Sequence, residues 1–227
     1  MDEFDQLVKV VKILRSPDGC PWDRAQTIAD MKKYLLEETY ELIDALSDKD
    51  YKAAEEELGD VILIIIVMAE MLDKEGKANL KKILQLVKDK MVLRHPHVFS
   101  ENKLGTKEEV LKVWVDKKAN DKNRKSVKDR LPKMAPALLL SYLFLKEYKV
   151  LGKKVNDLKD FEDIALTISA KLDKLKKETK GKQKGLLISE ILFYVTKLSF
   201  ISGLDPEELL RQKIFREAEK VSYGKDK

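Results

Sequence analysis

An all-α fold is what this sequence predicts, and three observations carry that expectation. Nine Gly and six Pro in 227 residues leave little material for the many turns that sheets require. Lys, Leu and Glu dominate, and all three favour helix. Apolar residues recur at three- and four-residue spacing along most of the chain, the signature of a helix with one buried face.

The elements follow in order. Phe4 to Leu14 reads as a first helix, stopped by the turn-rich run Ser16-Pro-Asp-Gly-Cys-Pro21. A second helix covers about Ala29 to Leu46 and ends in the polar stretch Ser47 to Asp50. Asp50 is suited to cap a third helix, Tyr51 to about Asp73, which Gly76 breaks. A fourth runs from about Asn79 to Leu93 and must stop before Pro96, because the residue preceding proline avoids the helical region. A loop then carries His95 to Gly105, and a further helix is expected from Thr106 through Trp114. Asp116 to Lys128 is charged and poor in apolar residues, as a linker would be. Beyond it, helices are expected at about Leu158 to Leu175, at Leu186 to Ile201, and from Asp205-Pro206 to about Val221. The grammar of the first half recurs in the second, which predicts two similar helical units. The expected divisions are residues 1–120, a linker at 121–130, and 131–227.

The chemistry concentrates in two acidic runs, Glu37-Glu38-Thr-Tyr-Glu41 and Glu55-Glu56-Glu57-Leu-Gly-Asp60. At about 100° per residue, Glu38 falls inside the apolar stripe Met31, Leu35, Leu42 and Leu46, with Glu41 at its edge. On the next helix Glu57 falls inside the stripe Ala53, Val61, Ile64 and Met68, with Asp60 beside it. A short connection makes the two helices antiparallel neighbours, so the pairs should approach one another. Four partly buried carboxylates at close range must be protonated, paired with cations or bound to metal. Oxygen ligands without a neighbouring histidine select a hard ion, Mg²⁺ or Mn²⁺, over Zn²⁺. A charge run is more often a solvated helix face, and that reading suits Glu55 and Asp44. It fails for Glu38 and Glu57, which interrupt apolar stripes. A ferritin-like di-iron site would need Glu-x-x-His pairs on helices, whereas His95 and His97 flank Pro96 in an expected loop.

Lys90 and Arg94 extend the stripe formed by Ile83 and Val87, so both are expected to turn inward. Beside a metal-loaded acidic cluster they suit a polyphosphate; the other reading is favourable charge at a helix C-terminus. Elsewhere 45 basic and 40 acidic side chains are interspersed, giving a formal charge of +5 without a basic-aromatic stripe. This points away from nucleic acid. The apolar run Val61 to Ala69 is short of the roughly 20 residues a membrane span needs and reads as the middle of a buried helix. One cysteine, Cys20, and no signal-like opening segment fit a cytoplasmic protein. Cys20 has no evident base beside it and reads as a structural thiol.

These motifs together resemble the MazG family. The resemblance rests on Gly19-Cys-Pro-Trp-Asp23 with Gln26-Thr27, Glu37 to Glu41, Glu57-Leu-Gly-Asp60, and Arg94-His-Pro-His-Val-Phe99, and it spans about the first 120 residues. It implies an all-α nucleoside triphosphate pyrophosphohydrolase, assembled as a homodimer of helical bundles, cleaving substrate to nucleoside monophosphate and pyrophosphate with Mg²⁺. Carried over by motif, it implies Glu38, Glu41, Glu57 and Asp60 as metal ligands, with Glu37 and Glu56 outside them. Glu37 or Glu41 becomes the group that accepts a proton from water. Lys90 and Arg94 become phosphate contacts, and Trp114 resembles the family's base-stacking tryptophan, though a core tryptophan fits equally there. The alternatives are a non-catalytic nucleotide- or partner-binding module, or a narrow-specificity relative of the dUTPase or phosphoribosyl-ATP pyrophosphohydrolase kind. In the second half the matching positions are Ala170, Lys171, Lys174, Leu187 and Glu190, so no magnesium is expected there. The basic pair falls on Arg216 and Lys220, and a structural, dimer-forming or regulatory role is expected of this half.

Overall fold

Capped helices joined by short links decide the architecture. The computed structural model describes residues 2–99, 105–106, 108–110, 113, 126–150 and 160–221. Every regular element among them is helical. The chain divides into two compact units, Met1–Lys103 and Leu104–Lys227.

In the first unit α1 (Glu3–Leu14) opens on Asp2, whose side chain accepts from the Asp5 amide at 2.9 Å. A short α2 (Pro21–Ala25) follows, then α3 (Ile28–Ser47) and α4 (Tyr51–Lys74). Thr27 and Asp30 close a reciprocal capping box at the start of α3, satisfying two backbone donors that the helix itself leaves unpaired. Asp50 caps α4 by accepting from the Ala53 amide at 3.1 Å. Only residues 48–50 separate α3 from α4, with Lys49 in the left-handed region at φ 60°. The two helices therefore run antiparallel and pack against each other more extensively than any other pair in the unit. Gly76 ends α4 at φ 65°, a conformation that costs a side chain and not glycine. Asn79 then caps α5 (Leu80–Arg94), followed by α6 (Pro96–Phe99). Val11, Met31, Ala54, Ile66 and Ala69 form the buried core where α1 and α3 meet α4.

Two expected loops contain helical turns. Pro21 starts α2 and Pro96 starts α6, because proline is tolerated in the first turn, where its missing N–H is not needed. The run Val61 to Ala69 is not buried all round: Ile62 is 42% and Ile65 44% exposed. Among the described residues α4 is covered chiefly by α3 and α1, with a smaller contact from α5.

The second unit contains a 3₁₀ turn (Lys128–Arg130), α7 (Ala137–Val150), α8 (Phe161–Lys177), α9 (Gly181–Ile201) and α10 (Pro206–Ala218). The sequence reading has no helix at 137–150. That segment is apolar on nearly every side and carries no helical period to detect. α9 starts five residues before Leu186, through Gly181 and Gly185, which weaken the local signal without forbidding helix. Leu145, Ile164 and Leu187 are its buried apolar centre, with the Arg130–Glu147 ion pair at 3.8 Å also enclosed. Residues 108–110 and 113 are helical; Trp114, most of the expected linker and the expected start of a helix at Leu158 lie outside the described residues. No single helix among the described residues is long and apolar enough to cross a membrane.

The junction between α1 and α2 depends on Gly19. A Cβ there would meet the Ile13 and Leu14 carbonyl oxygens at 2.2 and 2.3 Å, so α2 is held directly against the end of α1. Gly19→Ala should destabilise the protein by about 1–3 kcal/mol, the usual cost of overpacking, read as a lowered denaturation midpoint. An unchanged midpoint would show that the junction has slack.

Candidate active site

α3 and α4 face each other across a seam that both pattern with apolar residues, and carboxylates interrupt that pattern. Glu38, Glu41 and Glu57 each offer a carboxylate oxygen, and these oxygens all lie within 4.8 Å of one another. Glu38 and Glu57 are half-buried, whereas Glu41 is exposed, which corrects the expectation of four partly buried groups. Its position at the edge of the stripe leaves it on the solvent side. Asp60 is half-buried and stands outside the set of three, yet its negative charge reaches Glu38. Glu37 and Glu56 are exposed, on the outward faces of their helices.

The electrostatic consequence is direct. Burial pushes the Glu38 carboxyl above the ordinary glutamate value of 4.5, and the charges of Asp60, Glu41 and Glu57 push it the same way. Burial also raises Glu57, reinforced by the charge of Glu41; a hydrogen bond from Glu38 pulls in the opposite direction. The seam thus shifts both carboxyls toward their protonated forms. A hard divalent cation would offset that repulsion through the same oxygens. The donor set is all carboxylate, with no histidine in it, so it fits Mg²⁺ or Mn²⁺.

Beside Glu38 opens a cavity of about 250 Å³. Its walls are largely apolar (Val11, Leu14, Met31, Leu63, Ile64 and Val67), and Trp22, Tyr34, Gln26, Asp23 and Arg15 complete it. The Trp22 and Tyr34 rings lie 6.3 Å apart at 51°, and Trp22 is 59% exposed. Sequence reasoning left Trp22 undecided and did not find Arg15 or Tyr34. The available signal was the helical position of Tyr34, one turn before Glu38 on the same face of α3.

Lys90 does not turn inward within this chain. It is exposed, as Val87 is, because among the described residues α5 packs chiefly on α4 and α6, which leave most of its surface uncovered. Arg94 is half-buried at the end of α5. In the second unit the seam between α8 and α9 joins a lysine to a glutamate. Lys171 on α8 donates to Glu190 on α9 at 2.5 Å and lies over the Tyr194 ring at 5.3 Å. An ammonium occupies the seam where the first unit gathers carboxylates, and no acidic cluster forms there among the described residues.

Residues 26–99 match the model of the MazG nucleotide pyrophosphohydrolase domain. The chain is 33% identical over 211 residues to the nucleoside triphosphate pyrophosphohydrolase/pyrophosphatase MazG of Thermotoga maritima, covering 92% of this chain and 80% of that one. It is 30% identical to the nucleoside triphosphate pyrophosphohydrolase of Escherichia coli K12, covering 97% of this chain and 89% of the other. A crystal structure of a mazG-related protein from Thermotoga maritima matches with 30% identity and a TM-score of 0.45, over 50% of this chain and 97% of that one.

The raised carboxyls have a thermodynamic signature. A carboxyl raised on folding stabilises the fold below its ordinary value, and that contribution is lost as pH rises through the raised value. In chelator-treated protein, Glu57→Gln should therefore match wild type below pH 4.5 and become the more stable of the two toward neutrality. Denaturation midpoints at several pH values measure this. A difference independent of pH would contradict the coupling.

Proposed function

The chain belongs to the MazG family, and from that premise we propose that its first unit hydrolyses nucleoside triphosphates, ribo or deoxy, to nucleoside monophosphate and pyrophosphate with Mg²⁺ as cofactor. The observation that carries this reading is the juxtaposition of three carboxylates within 4.8 Å and an aromatic, apolar cavity that share Glu38. One end suits a metal-bound polyphosphate and the other a flat, hydrophobic base.

Glu38, Glu41 and Glu57 hold the ion in this reading, with Asp60 completing the negative field. Bound magnesium supplies Lewis acidity, offsetting phosphate charge and making water a better acid. Glu38 and Glu57 would ligate as carboxylates, the ion offsetting the burial and repulsion that raise them. Glu41, the outermost of the three, accepts the proton of the water that attacks the α-phosphorus; Glu37, exposed one turn earlier, is the second candidate for that role. Trp22 and Tyr34 take the base and so set the distance from base to cleaved bond. Arg94 and Lys90 belong to the pyrophosphate end. Because α5 leaves Lys90 and neighbouring apolar residues exposed, we assign those surfaces to a second copy of the chain in a homodimer. Glu56 supports the field around Glu57 from outside. Trp114, Asp60 as a direct ligand, and a cytoplasmic role in clearing the nucleotide pool remain parts of the same proposal. The second unit has no catalytic part in it: Lys171 already neutralises Glu190.

Hydrolysis in ¹⁸O-labelled water should place the label in the monophosphate and leave pyrophosphate unlabelled. Labelled orthophosphate, or a diphosphate product, would contradict the reading. Glu38→Gln should reduce kcat by about 10²-fold or more, as loss of a group acting only at the reacting centre does. Glu190→Gln should leave turnover near wild type, and equal losses at the two positions would overturn the assignment to the first unit.

A further inference from the structure

α2 carries Trp22 into the lining of the cavity beside Glu38, yet a helix of five residues cannot hold itself. The last four carbonyls of any helix find no partner within it, which in so short a piece is nearly all of them. Two side chains from outside the helix supply the missing donors. Gln26 Nε2 donates to the Trp22 carbonyl oxygen at 3.3 Å, and Arg15 Nη1 donates to that of Asp23. The Arg15 bond is part-buried and brings a guanidinium charge to a helix C-terminus, so it is the stronger of the two. Nε of the same side chain is enclosed by protein, which makes that edge of the guanidinium part of the wall. Arg15 is itself fixed: its carbonyl accepts from Lys74 Nζ at 2.5 Å, and Lys74 pairs with Glu70 at 3.7 Å, both on α4. The helix that carries Glu57 is thus tied through Arg15 to the helix that carries Trp22. The Trp22 ring has little packing of its own to fix it, being 59% exposed with its centre 6.3 Å from that of Tyr34.

We propose that Arg15 is a positioning residue: it holds α2, and through α2 the aromatic face that Trp22 offers a base. This rests on the reading of the cavity as a base site. A stacking ring contributes its full affinity only if it already stands where the base arrives, because ordering it on binding costs part of that affinity. The bond from Arg15 to Asp23, the residue next to Trp22, makes that ordering part of folding. Arg24 makes a contact of the same kind, Nη1 to the Pro17 carbonyl oxygen, but there the groups are exposed and water replaces the bond at little cost. Arg15 in this account touches neither base nor phosphate, and yet sets how tightly the base is held.

The test is a double-substitution cycle, read by calorimetric binding of AMP and CMP to the full chain without metal. Arg15→Met should weaken both by about tenfold, the order that one hydrogen bond from a charged donor supports. Arg15→Lys keeps a cation near the Asp23 carbonyl and should recover most of that loss. Trp22→Leu should weaken both nucleotides as well. Because Arg15 acts through Trp22, adding Arg15→Met to Trp22→Leu should cost almost nothing more. Arg24→Gln should bind as wild type does. In a Trp114→Phe background Trp22 is the single tryptophan, and its fluorescence anisotropy should fall when Arg15→Met is added. Losses that add in the double variant, or an unchanged anisotropy, would mean that Arg15 acts on the fold at large or on the nucleotide itself, and would overturn the proposal. So would an equal loss in Arg24→Gln. Nothing in the cycle needs turnover. A wild type that binds neither nucleotide, while Arg15→Met still loosens Trp22, would contradict the base-site reading and support the hold of Arg15 on Trp22.

Discussion

Negative charge held across a helix seam is the constraint on which the first unit depends. α3 and α4 pack more closely than any other pair in that unit, and Glu38 and Glu57 stand where apolar residues would pack better. Burial and mutual repulsion raise both carboxyls, and a bound cation would relieve that repulsion. Helix propensity, the Thr27–Asp30 capping box and the three-residue link through Lys49 all serve to keep those side chains opposed. The rigidity that holds this arrangement also prevents the carboxylates from swinging apart.

The second unit has a comparable pair of long helices, α8 and α9, and resolves the same problem internally. Lys171 meets Glu190 directly, with its ammonium over the Tyr194 ring. A lysine that reaches across the seam removes the need for an outside cation, and with it the means to hold a polyphosphate through one.

Much of the first unit was legible in sequence because its signals are local. The spacing of apolar residues set α1, α3, α4 and α5, and Asp50 marked the start of α4, whereas the caps at Thr27 and Asn79 emerged only in the structure. The interruption of apolar stripes by Glu38 and Glu57 pointed to the seam, since position on a helix follows from residue number alone. What was not legible depends on contacts far apart in the chain. Lys90 continues an apolar stripe, yet the described residues leave Val87 and Lys90 on that stripe exposed, so periodicity predicted an inward side chain that is exposed. Glu41 lies at the edge of its stripe, and only the packed pair of helices shows which side of the edge faces solvent. Arg15 and Trp22 enter the cavity because Gly19 lets α2 fold back onto α1, a close approach without a periodic signature. The helix at 137–150 was missed for the opposite reason: uniform hydrophobicity hides the period.

The proposed function requires a divalent cation site formed by the α3–α4 carboxylates. Electron paramagnetic resonance of Mn²⁺ titrated into the full chain counts bound ions directly. Wild type should bind Mn²⁺, and the Glu38→Gln/Glu57→Gln double variant should lose that binding while Glu190→Gln retains it. Mn²⁺ binding that survives in the double variant at wild-type strength would contradict the account.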